Sequence, residues 1–281
     1  MAPGSSVPDR PAGQDDRVLP LTRGVAILVI PFLLVAFGML YVGNEVASVL
    51  FAWAIKPRIT AMLLGSAYLG GVVFFASLLA TRAWHRAALG VPAVATFATL
   101  LLVTTFLHLD QFLFDRVAGW VWTLIYIVAP PLVVLAYVLN RRRDPGRQPG
   151  EPLVDPRLVR VLLAFGLGAM VFAVALYLVP AMFVDAWPWK LTPLSARVQA
   201  PMLCLPGVLA IGIARDRRRS SLRVPLVAQA AALVAMLVAL VARSDDFTGP
   251  AVSVGLAWVL LAGSLAGTVA ILVTQQERAD G

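Results

Sequence analysis

The stretch Asp185-Ala-Trp-Pro-Trp-Lys-Leu-Thr-Pro-Leu-Ser-Ala-Arg197 runs an aromatic cluster straight into a helix-start signal. Thr192 followed by Pro193 reads as an N-cap and a first helical residue, the position where proline's missing N–H costs nothing. Phe51-Ala-Trp-Ala-Ile-Lys-Pro-Arg-Ile-Thr60 has the same layout, with Lys56 preceding Pro57. A shift of 136 residues lays Trp53 on Trp189 and Pro57 on Pro193, and also Tyr41 on Tyr177, Gly71 on Gly207, Asp110 on Asp246, Gly119 on Gly255 and Trp122 on Trp258, without a gap. Apolar matches are cheap in a chain like this one; paired tryptophans, prolines and tyrosines are not. The chain therefore reads as a duplicated unit.

Composition identifies the unit. With 60% hydrophobic residues, a mean hydropathy of +0.85 and 14% charged residues, the chain has too little polar surface to cover a soluble globule of 281 residues. Eight uncharged apolar runs follow one another, at 24–43, 59–80, 89–107, 117–140, 161–179, 198–214, 224–242 and 251–274. Each is near the roughly 20 residues that carry a helix across a hydrocarbon core. Their continuous rather than alternating pattern predicts helices and not a barrel. The expected fold is an all-α integral membrane protein of eight transmembrane helices, arranged as two tandem parallel four-helix repeats. Four is even, so the copies share orientation about a pseudo-two-fold axis along the membrane normal. The expected divisions are a disordered tail at 1–20, repeats at 21–140 and 161–274, a basic linker at 141–160 and a short tail at 275–281. Pro31, Pro130, Pro131, Pro201 and Pro206 fall inside spans, where they are expected to kink them.

A net charge of +8 spread over a soluble face would point to nucleic acid, but here the arginines sit in short loops between apolar runs. Seventeen of the 23 basic residues lie on the side that holds the termini, Arg141–Arg143 and Arg217–Arg219 among them. The positive-inside rule then predicts that both termini are cytoplasmic; the expected setting is a bacterial inner membrane, with membrane lipids and a protein subunit as candidate partners and no nucleic acid. Topology alone accounts for the arginine clusters. Cys204 stands alone in an apolar run, which excludes an intrachain disulfide and reads as a core residue. Residues 1–20 lack the apolar segment and cleavage site of a signal peptide.

On this topology the two aromatic stretches face outward. Two helix N-termini, with Lys56, Arg58, Lys190 and Arg197 beside them, offer amides and partial positive charge to an anion. Trp53, Lys56, Pro57, Arg58, Trp187, Trp189, Lys190, Thr192, Pro193 and Arg197 are the candidate ligand-binding residues; an interfacial aromatic belt with flanking cations accounts for the same set. His108, Asp110, Asp115 and Asp246 form a second polar group in the outward loops. Asp110 to Asp115 has a likeness to the Asp-rich magnesium motif of membrane prenyltransferases, but the second such motif is missing, so neither a metal nor another cofactor is expected. None of the eight runs carries an Asp, Glu, Lys or Arg. Ion-coupled transporters and channels need such groups at mid-membrane, so a carrier of apolar cargo is the transport class left standing. Gly65, Gly70, Gly71, Gly166, Gly168, Gly263 and Gly267 are expected to allow close helix packing.

Trp-Pro-Trp-x-Leu-Thr-Pro-Leu at 187–194, Leu-Asp-x-Phe at 109–112 and Trp-x-x-x-Tyr-x-x-x-Pro-Pro at 122–131 resemble an uncharacterised group of multi-pass proteins from high-GC bacteria. The resemblance implies the architecture and carries no activity with it. The functional expectation is a non-catalytic membrane protein with an outward site for an anionic lipid, small ligand or partner subunit. The alternatives are a transporter or flippase of a lipid-like substrate, and an enzyme acting on a lipid or isoprenoid.

Overall fold

The computed structural model describes residues 15–280. Residues 1–14, most of the expected N-terminal tail, lie outside it. Eight long helices follow in order: α1 (Pro20–Phe37, continued by a π-helical turn at Gly38–Val42), α2 (Arg58–Ala80), α3 (Gly90–Leu107), α4 (Val117–Arg141), α5 (Pro156–Leu178), α6 (Pro193–Asp216), α7 (Arg223–Ala242) and α8 (Ala251–Asp280). All are long and apolar enough to cross a membrane. The five prolines expected inside spans are inside α1, α4 and α6. α8 continues past the expected boundary at residue 274.

The helices divide by burial. Over their most apolar windows α2 and α6 are each 56% buried, while α5 and α8 are 17% and 11% buried. Ile27, Leu28 and Val35 of α1, Leu124 of α4, Val171 of α5 and Val252 and Val259 of α8 are exposed on the outside. A rim of this kind is stable only when hydrocarbon surrounds it, and the protein is a multi-pass membrane protein in contact with lipid.

The central helices pair crosswise. α2 packs along α7, α3 along α6, and α2 meets α6 between them. Outside this centre α1 packs on α2, α4 on α3, α5 on α6 and α8 on α7. One closure lacks a counterpart: α1 also packs on α4, whereas α5 and α8 form no such interface. The tightest seam is α5 against α6, because Gly166 and Gly207 face each other. A Cβ on Gly166 would lie 2.8 Å from the Pro206 carbonyl oxygen, and one on Gly207 would lie 2.6 Å from the Gly166 oxygen. Gly65, Gly70 and Gly71 are also close-packed, but Gly168, Gly263 and Gly267 are not: an added Cβ there would meet open space.

At the face where α1 begins, called the near face, two short segments stitch the bundle. Arg17 bridges Ala83, the Val18 amide donates to the Arg82 carbonyl, and Asp16 accepts from the backbone and ring of His85. Leu153 bridges Arg218, and the Val154 amide donates to the Arg217 carbonyl. Asp15 to Leu19 are thus tied down although they belong to the expected tail. Buried Arg218 pairs with Asp144 and Asp216, at 2.8 and 2.6 Å. Burial opposes the Asp144 charge, yet the hydrogen bonds from Arg218 and the Gly146 amide outweigh it and hold the carboxyl below the usual range.

Candidate functional site

At the opposite, far face the two aromatic stretches fold back over the bundle. Thr192 caps α6 as expected, its Oγ1 accepting from the Ser195 amide at 3.1 Å, with Pro193 the first helical residue. α2 differs: Pro57 is the N-cap and Arg58 the first helical residue. The amide of its second residue, Ile59, donates to Asp246 Oδ2 at 2.7 Å, so the carboxylate comes from the turn that follows α7, the helix along which α2 packs. The helix-start donors that the sequence offered to an anion are therefore engaged by the protein's own side chains at Ile59 and Ser195.

The remaining candidates separate into three places. Trp53 is buried among Phe51, Phe112 and Trp122, with centroids 4.8–5.3 Å away, and Trp122 lies tilted against Tyr126 and donates to Thr105. Arg197 belongs to the α3–α6 seam. It donates to the Tyr177 carbonyl and, at 2.9 Å, to His108 Nε2. An imidazole that accepts from a guanidinium is neutral, and burial first and Arg197 second hold His108 below the usual imidazole range, with Asp110 pulling the other way. Arg58 and Arg243 share Glu45 at 3.5 and 3.4 Å, while Lys56 and Lys190 are exposed. His108 and Asp246 are thus occupied at the ends of different helices, α3 and α7. Among the described residues no three His, Cys, Asp or Glu side chains are grouped to hold a metal.

Trp187 and Trp189 occupy the third place. The connection between α7 and α8 clamps them: Thr248 and Gly249 amides both donate to the Pro188 carbonyl, and Trp189 bridges Phe247. Gly249 is required, since a Cβ there would lie 1.8 Å from the Trp187 oxygen. The indoles stand perpendicular, 5.8 Å apart. Trp189 packs on Ile59, Met62 and Leu63 of α2, Ala239 and Leu240 of α7 and Trp258 of α8; Trp187 stacks on Phe172 of α5 at 6.3 Å and 7°.

Beneath this roof lies a feature that the sequence reading did not include, a cavity of about 600 Å³ touched by all eight long helices. Its wall includes Phe165, Gly168 and Phe172 of α5, Leu203 and Pro206 of α6, Met236 of α7 and Leu260 and Leu261 of α8. Few polar side chains reach it: Tyr68 and Tyr126 share a hydrogen bond, Gln229 donates to Thr268, and Ser264 is the fourth. The volume falls within the roughly 300–1,000 Å³ typical of small-molecule sites. α5 and α8 flank the cavity without close backbone packing between them; near the near face their side chains, Leu158 and Leu162 with Ile271 and Leu272, pack against one cluster. The bundle centre is therefore neither tightly packed nor polar; it is a hydrocarbon-lined space at membrane depth.

Comparison with known proteins leaves this geometry to speak for itself, since no protein-family model, curated protein or solved structure matches the chain.

Proposed function

We propose that this chain is a lipid-binding membrane protein that takes a single hydrocarbon chain from the bilayer into its central cavity through the gap between α5 and α8. The observation that carries the reading is the 600 Å³ apolar cavity, flanked by α5 and α8 without close backbone packing between them. Water gains nothing in such a space, whereas a lipid chain keeps its hydrocarbon surroundings and adds dispersion contacts. The bilayer supplies that ligand at high local concentration.

The same proposal includes duplication of a four-helix unit, with both termini cytoplasmic in a bacterial inner membrane. Several observations support duplication. The α2–α7 and α3–α6 pairings exchange under a swap of the two units. Tyr41 donates to the Ala235 carbonyl and Tyr177 to the Leu100 carbonyl, each reaching the third helix of the other unit. The near-face bridges at Arg17 and Leu153 are a third matched pair. The third helices pair at an offset of 135, with Leu107 matching Ala242 at their ends, while Trp53 and Trp189 keep 136. Asp246 consequently matches Gln111 in this register, and the gap-free alignment of Asp110 with Asp246 does not extend to the third helix. Orientation rests on the arginine distribution alone.

Native mass spectrometry of the full chain, released gently from its own membrane, tests the reading. A lipid retained on the protein, and lost in Gly168→Phe, which places a ring in the open space beside α5, supports it. Equal retention in both overturns it.

A further inference from the structure

A polar group at membrane depth needs a partner inside the protein, because hydrocarbon offers none. On the cavity wall Tyr68 and Tyr126 meet that need for each other and are 1% and 4% exposed. The other two polar residues of the wall, Gln229 of α7 and Ser264 of α8, are half-buried and stand together. The Thr268 hydroxyl joins them, donating to the Ser264 carbonyl at 2.7 Å and accepting from Gln229 Nε2 at 3.0 Å. A carbonyl oxygen cannot donate, so the Thr268 proton is committed and the Gln229 amide must turn its nitrogen toward Thr268. Gln229 Oε1 is left over as an acceptor, and the Ser264 hydroxyl likewise has no partner among the described residues. Both oxygens keep accessible surface, on residues that line the cavity.

Holding α7 to α8 does not require this cluster. In α1–α4 the third and fourth helices also pack on each other, and the matched places carry Val94, Val128 and Leu132. The depth of the cluster limits what it can bind. Gln229 lies six residues into α7, about 9 Å along the helix from its near-face end. A charged headgroup drawn to that depth would lose its hydration at a cost far above that of one hydroxyl.

We infer that the cavity selects a single-chain lipid alcohol, whose hydroxyl donates to Gln229 Oε1 and accepts from the Ser264 hydroxyl while its hydrocarbon chain fills the apolar remainder. The inference rests on the lipid-binding reading and names its ligand class. A hydroxyl is donor and acceptor at once, and so matches one acceptor and one donor on the wall. An ether oxygen can only accept, and an alkane can do neither.

The test is equilibrium binding of hexadecanol, hexadecyl methyl ether and hexadecane to the full chain in delipidated detergent micelles. Hexadecanol is expected to bind about tenfold tighter than hexadecane, two neutral hydrogen bonds of about threefold each, with the ether between them. Gln229→Leu is expected to bring the alcohol down to the ether's affinity. Ser264→Ala, which leaves the Gln229–Thr268 bond in place, is expected to bring the ether down to the alkane's and to weaken the alcohol about threefold. Hexadecane is expected to bind equally in all three proteins, the sign of an intact cavity; where Gln229→Leu also loses hexadecane, Ser264→Ala decides. Alcohol, ether and alkane binding alike in the parent overturns the hydroxyl site, water then satisfying both oxygens, while loss of all three in Gly168→Phe still upholds the cavity. An alcohol preference untouched by both variants overturns it as well. Hexadecane binding indifferent to Gly168→Phe removes the cavity reading itself.

Discussion

α1–α4 and α5–α8 use the same helix pairings but fill their interiors differently. In α1–α4, Phe32, Tyr68 and Tyr126 meet edge to face, centroids 6.2–6.4 Å apart, the tyrosine hydroxyls share a hydrogen bond, and α1 closes on α4. At the same offset of 136, α5–α8 carries Gly168, Cys204 and Ala262. Three aromatic rings are matched by a glycine, a cysteine and an alanine, and α5 and α8 lack the close backbone packing that joins α1 to α4. Phe32, Tyr68 and Tyr126 form one wall of the cavity, and Gly168 borders it from α5 with open space where a side chain would stand. On the proposed lipid-binding reading, this difference is what leaves room for a hydrocarbon chain beside α5.

The sharpest way to break this contrast is to remove matched tryptophans. Trp122 is 2% exposed and lies against five other rings, those of Phe51, Trp53, Tyr68, Phe112 and Tyr126, so Trp122→Ala is expected to cost about 3–5 kcal/mol. Trp258→Ala, on the half-buried counterpart, is expected to cost less than about 2 kcal/mol. Thermal unfolding in detergent reads both, and equal losses would mean that the units are equally packed.

Glycines two residues apart on α5 sharpen it further. Gly166→Ala forces a Cβ into the α6 backbone and is expected to destabilise by about 1–3 kcal/mol, whereas Gly168→Ala meets open space and is expected to be neutral or stabilising by up to about 1 kcal/mol. The same unfolding assay separates them.

The helix caps give a smaller effect. Thr192→Ala removes a local cap and is expected to cost about 1 kcal/mol. Asp246→Ala removes a cap that also ties α7 to α2, so its loss should match or exceed that value. If Asp246→Ala were silent, the cross-unit cap would contribute nothing.

The smallest expected effect is with pH. The folded pKa of His108 lies below its unfolded value of about 6.5. The α3–α6 seam therefore keeps its full contribution above that pH and loses it as pH falls from there through the folded value. Unfolding temperature should decline over that range in the parent and less in His108→Gln.

Much of the fold was legible because it rests on pattern. Eight apolar runs and the Thr192–Pro193 signal are local properties, and all eight helices form where hydropathy placed them. The near-face stitching was not legible, since the Val18 and Val154 amides find the Arg82 and Arg217 carbonyls more than 60 residues away in the chain. Nor was the Asp246 cap, whose donor is 187 residues away in the chain. Trp187, Trp189 and Arg197 were singled out, but for helix-start amides that turn out to be engaged; their place in the structure depends on partners from other helices. The cavity was hidden for a different reason. An alignment searched for identities passes over Gly168, which stands opposite Phe32 at the matched position and borders the cavity.

The most direct measurement is photo-crosslinking of the full chain in nanodiscs that contain a phospholipid with a diazirine in its acyl chain. The account predicts adducts on Phe172, Leu203, Met236 and Leu261 inside the bundle, lost in Gly168→Phe. Adducts confined to the outer rim at Ile27, Leu28, Val252 and Val259 would contradict it.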